Sequence, residues 1–227
     1  ILLDADAKKA AILSALRTLI AKADYGDIVV FQFSGHGSWV PGENGDEPDG
    51  RDEILCPHDI MTGQWISDDE LHEVFSDRAR GARIVFLSDS CHSGTVSRFA
   101  ALLPVIDDVD RRGRVRFLPP GTFMRALGER SSTEETPRAP TSKLSASASV
   151  LISGCRDTEY SYDAWFNGRA NGAFTRAAID SLADNPLSYN DWYRSIRTRL
   201  PSSEHPQTPQ LTAAAYQRRW TALGEGR

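Results

Sequence analysis

Little in this chain points to a disulfide framework, a nucleic-acid partner or a membrane. Only three of its 227 residues are cysteine, Cys56, Cys91 and Cys155. An odd number without paired spacing argues against a disulfide scaffold and for a reducing compartment such as the cytoplasm. Positive charge is not in excess: the net charge is −5. No nucleic-acid partner is suggested, and the balance suits a cationic ligand. No apolar run approaches the roughly 20 residues that span a bilayer, so no membrane partner is expected. An initiator Met and a signal-peptide pattern are both lacking, and Ile1-Leu2-Leu3-Asp4 reads as a start inside a longer gene product. There is no internal repeat.

What is present is the material of one globular domain with a sizeable core: 40% hydrophobic and 25% charged residues. Two apolar runs, 28–33 and 83–88, read as buried strands, and Ser149-Val150-Leu151-Ile152-Ser153 as a third. Helical spacing of Ala10, Leu13, Leu16, Leu19 and Ile20 predicts a helix over 6–21, with Asp4 or Asp6 as N-cap. Ser67-Asp68-Asp69-Glu70 has the form of a capping box opening a second helix. Further helices are predicted at about 173–184 and, capped by Ser188, at about 189–199. Runs alternating with helices predict an α/β fold, a mostly parallel sheet covered on both faces. Between 105 and 148 eight basic residues are scattered among Pro, Ser, Thr and Ala. That stretch reads as a mobile basic linker between residues 1–104 and 149–227, two parts of one domain.

Each of the first two strands ends on a short polar string: Phe33-Ser34-Gly35-His36-Gly37 and Asp89-Ser90-Cys91-His92-Ser93-Gly94. Ligands of open α/β sheets bind beyond the carboxyl ends of the strands. A parallel sheet would bring His36 and Cys91 together there. A thiol is mostly protonated at neutral pH, and a neighbouring imidazole both activates it and later protonates a leaving amine. The flanking glycines allow close approach of a substrate backbone and leave amides free to hold an oxyanion. Asp89 stands two residues before Cys91, on the same face of an extended segment. A carboxylate there would pair with a Lys or Arg of a substrate. Asp157 and Glu159 can add to that acidity.

With Ile152-Ser153-Gly154-Cys155, Gly172-Ala173-Phe174-Thr175 and Pro209-Gln210-Leu211, these strings resemble the caspase-like cysteine peptidases, in their metacaspase and bacterial orthocaspase branch. His36 and Cys91 lie 55 positions apart, against about 50 in caspases. The resemblance implies a three-layer α/β/α sandwich whose first core strand precedes residue 1, so that a segment of the same protein upstream would complete the site. It implies Cys91 as nucleophile, His36 as base and acid, and the amides of Gly37 and Cys91 as oxyanion donors. Asp89 and Ser34 match positions that select Arg or Lys. Asp52, Asp68 and Asp69 match the acids of a calcium site, so calcium is the expected activating cofactor and no organic cofactor is implied. The expected function is hydrolysis of peptide bonds after Arg or Lys in protein or peptide substrates, with self-cleavage between Arg111 and Lys143. A silent caspase-like interaction domain, or a separase-like or gingipain-like peptidase, remains open at this point.

Overall fold

The computed structural model describes residues 1–42, 51–91, 114–125, 127–128, 149–156, 159–166 and 168–224. These form helices α1 (Lys9–Lys22), α2 (Asp68–Ser76), α3 (Pro120–Met124), α4 (Ala173–Ser181) and α5 (Tyr189–Arg197). The strands are β1 (Ile28–Ser34), β2 (Gly37–Pro41), β3 (Arg51–Leu55), β4 (Ile66–Ser67), β5 (Arg83–Asp89), β6 (Arg114–Val115), β7 (Ser149–Ser153), β8 (Tyr162–Phe166), β9 (Arg169–Gly172) and β10 (Gln210–Thr212).

The three predicted strands are the parallel heart of the fold. β1 pairs with β5 and β5 with β7, while β10 joins β7 antiparallel, giving the order β1-β5-β7-β10. Alternation along the strands supplies two cores. Ile84 and Phe86 of β5 face Leu13, Leu16 and Ile20 of α1 and Leu71, Val74 and Phe75 of α2. Val85, with Val150 and Ile152 of β7, faces Phe174 and Ala178 of α4 and Trp192 and Ile196 of α5. Helices therefore cover both faces, the α/β/α arrangement expected. Residues before 104 and after 149 share one sheet.

Local side-chain caps account for the starts of α2 and α5. Ser67 accepts from the Glu70 amide while Glu70 accepts from the Ser67 amide, a complete capping box. Ser188 accepts from the Asp191 amide at the start of α5. The start of α1 differs from expectation. Residues Asp4–Asp6 form a 3-10 turn instead, and the Lys9 amide donates across the fold to Asp59 Oδ1 at 2.9 Å. The distant carboxylate takes the place of a local cap.

Two small antiparallel sheets, β2-β3-β4 and β6-β8-β9, complete the fold. The second corrects the linker expectation for residues 114–125. Arg114–Val115 is a strand, Pro120–Met124 a helix, and Arg116, Phe117, Phe123 and Met124 are buried. The basic composition hid an apolar alternation: Val115, Phe117, Leu118, then Phe123 and Met124 packed with Val40, Ile54 and Ile60. Most of 105–148 lies outside the described residues.

If residues 114–125 are structural, Phe123→Ala should cost about 3–5 kcal/mol, the usual loss for a fully buried Phe. Urea unfolding measures it. A cost near zero would return the segment to the status of a solvated connection.

Candidate active site

The register of β1 against β5 sets the site. Ser34 pairs with Asp89 at the carboxyl ends of the two strands. His36 and Cys91 each come two residues later, and the Gly35 amide donates to the Asp89 carbonyl at 3.3 Å. The thiol of Cys91 is fully buried, among Trp39, Phe117 and Cys155. The Ser161 amide donates to its Sγ. Burial pushes the Cys56 thiol up to about 12, so it stays protonated and inert.

The site is occupied by the chain itself. Arg116 is the residue that His36, Gly37, Asp89 and Cys91 have in common. Its carbonyl oxygen accepts from the amides of Gly37, at 3.0 Å, and Cys91, at 3.2 Å. Two convergent N–H groups on one carbonyl are the geometry of an oxyanion hole. The His36 side chain is hydrogen-bonded to the Arg116 backbone. Loss of hydration lowers the His36 pKa and the Arg116 cation lowers it further. The backbone bond and Asp163 act the other way.

The Arg116 side chain enters a strongly acidic recess. Its Nη1 donates to Ser34 Oγ and, at 2.9 Å, to the Asp89 carbonyl, and lies 3.8 Å from Asp89 Oδ1. Its Nη2 donates to Asp163 Oδ1 at 3.1 Å. Asp89 is completely buried. Its Oδ1 accepts from Ser161 Oγ at 2.6 Å, and its Oδ2 accepts from Thr175 N at 2.8 Å and Thr175 Oγ1 at 2.6 Å. Thr175 is in the first turn of α4, so the carboxylate also sits at a helix N-terminus, where negative charge is favoured. Gly172 makes room: a Cβ there would overlap the Asp89 carboxylate. The recess holds two carboxylates for one guanidinium, so without a cation its charge would be uncompensated.

Of the residues singled out from sequence, the fold brings Ser34, His36, Gly37, Asp89 and Cys91 together. Glu159 is elsewhere, engaged by Thr208 N and Oγ1. Asp157, His92 and Gly94 lie outside the described residues. Asp52 is on β3, and Asp68 and Asp69 open α2, where acids suit the helix dipole. Among the described residues no group of three or more His, Cys, Asp or Glu side chains is arranged to hold a metal ion. Sequence reasoning missed Arg116, Ser161 and Asp163. Arg116 alone among the linker arginines is flanked by Val115 and Phe117, the signal that could have separated it.

The Metacaspase, peptidase C14 domain family model matches residues 3–99. Metacaspase-1 of Coccidioides immitis is 33% identical over 229 residues, 91% of this chain and 49% of the relative. Metacaspase-1A of Aspergillus clavatus is 32% identical over 91% of this chain and 53% of its own length. The chain thus spans about half the length of the curated relatives it matches. The crystal structure of protein GSU0716 from Geobacter sulfurreducens is similar with a TM-score of 0.67 and 31% identity, covering 92% of this chain and 74% of that one. Placed beside a histidine and a cysteine that converge on one peptide carbonyl, these matches show that the chain belongs to the metacaspase family.

Proposed function

We propose that this chain is a cysteine endopeptidase that hydrolyses peptide bonds after Arg or Lys. One observation carries the reading: a basic residue of the chain already lies with its carbonyl between the Gly37 and Cys91 amides and its side chain between Asp89 and Asp163. A substrate would take the same path, extended along β8, with its basic side chain in place of Arg116.

Cys91 Sγ then attacks the carbonyl carbon while the two amides hold the developing oxyanion. His36 takes the thiol proton and gives it to the leaving amine. A thioester remains, and water activated by His36 hydrolyses it. Selectivity arises from charge balance. Asp89 is shut off from solvent, so a neutral or acidic residue would leave its buried charge unpaired, while Asp163 is half-buried and adds a second carboxylate to the recess. Calcium, held by Asp52, Asp68 and Asp69, would act as the activating cation.

Fluorogenic peptides ending in Arg, Lys or Asp, assayed with calcium and with a chelator, test the reading. Hydrolysis is expected after Arg and Lys and not after Asp, with none from Cys91→Ala. Undiminished hydrolysis by that variant would overturn it, and equal rates in chelator would remove calcium from the account. Asp89→Asn should lower kcat/KM on Arg peptides at least about 30-fold, as expected for truncating one side of a buried charge pair. Gly172→Ala, which crowds the same carboxylate, should act in the same direction. In a Cys91→Ala background, Arg116→Gln should raise the His36 pKa toward the ordinary histidine value, since it removes a cation. Imidazole NMR titration reads the shift, and an unchanged or lower value would contradict the assigned cause.

A further inference from the structure

The residue after Arg116 occupies a pocket of its own. Phe117 is buried among Trp39, Cys91 and Cys155, and the partly buried Val115 and Tyr160 pack against this group. The Phe117 and Tyr160 rings lie 6.5 Å apart, tilted at 48°. Trp39 comes from β2, Cys91 and Cys155 from just past the ends of β5 and β7, and Tyr160 from just before β8. Apart from Val115, the walls therefore belong to the fold and not to the piece of chain that fills it.

Main-chain bonds set the position of that residue. Phe117 bridges to Gly37 in parallel register: the Gly37 amide donates to the Arg116 carbonyl at 3.0 Å, and the Leu118 amide donates to the Gly37 carbonyl at 3.0 Å. The fully buried Ser38 donates from its Oγ to the Leu118 carbonyl at 2.6 Å. None of these bonds uses a side chain of residues 116–118, so any peptide lying across the oxyanion hole can form them.

The walls are apolar. Trp39 is the largest of them. Its Nε1 is buried with no hydrogen-bond partner among the described residues, so the indole contributes contact area and no hydrogen bond. The Arg51 guanidinium lies 4.0 Å from the Trp39 ring centroid and holds the ring in place. Burial first, then the charges of Cys91 and Tyr162, push the Tyr160 hydroxyl up to about 12, so it stays neutral near pH 7.

We infer that this pocket selects the residue on the amine side of the scissile bond, with Trp39 as its specificity-determining residue. The site then cuts an Arg or Lys bond fastest where a large apolar or aromatic residue follows. The inference rests on the proposed Arg/Lys endopeptidase activity and adds a second side-chain requirement to it. The acidic recess reads charge before the bond, and the Trp39 pocket reads apolar surface after it. Gly leaves the pocket unfilled, and Asp sets a charge among apolar side chains.

Internally quenched peptides that differ only in the residue after Arg (Phe, Leu, Gly or Asp) test this, on protein incubated until its activity is constant. An Arg peptide carrying a dye directly on its carbonyl, with no residue after it, reports the basic requirement separately. Phe should exceed Gly by at least about 10-fold in kcat/KM, as expected for burying one large apolar side chain, with Leu between them and Asp slowest. Trp39→Ala should remove most of the Phe-to-Gly ratio, and Trp39→Phe should keep most of it. The wild-type series decides the question even if Trp39→Ala does not fold. Equal rates on the Phe and Gly peptides, a preference for Asp, or a Trp39→Ala variant that slows both peptides alike would overturn the inference. With the dye peptide still cut, the proposed activity would stand. Cleavage of none of the peptides, the dye peptide included, would overturn both.

Discussion

The guanidinium of Arg116 between Asp89 and Asp163 is the interaction on which the site's organisation depends. Asp89 is fully buried and already accepts three hydrogen bonds, from Ser161 and Thr175. Those bonds satisfy its lone pairs without neutralising its charge. Burying such a group is tolerable only with a positive partner close by. The cation in turn draws residues 114–118 across the ends of β1 and β5, places the Arg116 carbonyl on the Gly37 and Cys91 amides, and sets Phe117 over the thiol. One charge balance thereby links the recess, the oxyanion hole and the access to Cys91.

The fold prepares this balance through the parallel sheet. Pairing Ser34 with Asp89 brings the ends of β1 and β5 to the same level, so that the strings after them meet without any long-range adjustment. The two helical layers fix that register by burying alternate residues of β5 on opposite faces. α4 then contributes an amide and a hydroxyl from Thr175 to the carboxylate, and Gly172 leaves it the space to approach. The same aspartate therefore both accepts from the first turn of α4 and forms the wall of the pocket.

Much of this was legible in the residues themselves where the signal was local. The run 149–153 is β7 with the bounds read from it, and the Ser67–Glu70 capping box forms as its spacing requires. His36 and Cys91 were recognisable because each comes just after a strongly apolar run, and a parallel sheet leaves few other places for such ends. The rest depends on contacts between distant residues. Arg116 meets Ser34 from 82 positions away, Asp89 from 27 and Asp163 from 47. Nothing in a stretch rich in arginine marks one of them as buried, except the short alternation Val115-Arg116-Phe117. Asp163 and Ser161 carry no motif at all, and α1 is capped by Asp59 for the same reason: the partner is supplied by the fold and not by the neighbouring sequence.

The central claim is that recognition rests on the positive charge of the residue before the scissile bond. Replacing that residue by citrulline keeps its shape and removes its charge. The measurement is the ratio of kcat/KM for matched Arg and citrulline peptides, on protein incubated until its activity is constant. The account predicts a preference for Arg of at least about 100-fold, in keeping with roughly 3 kcal/mol for a buried charge pair, and a sharp fall in that preference in Asp89→Asn. Equal rates on the two peptides would contradict it.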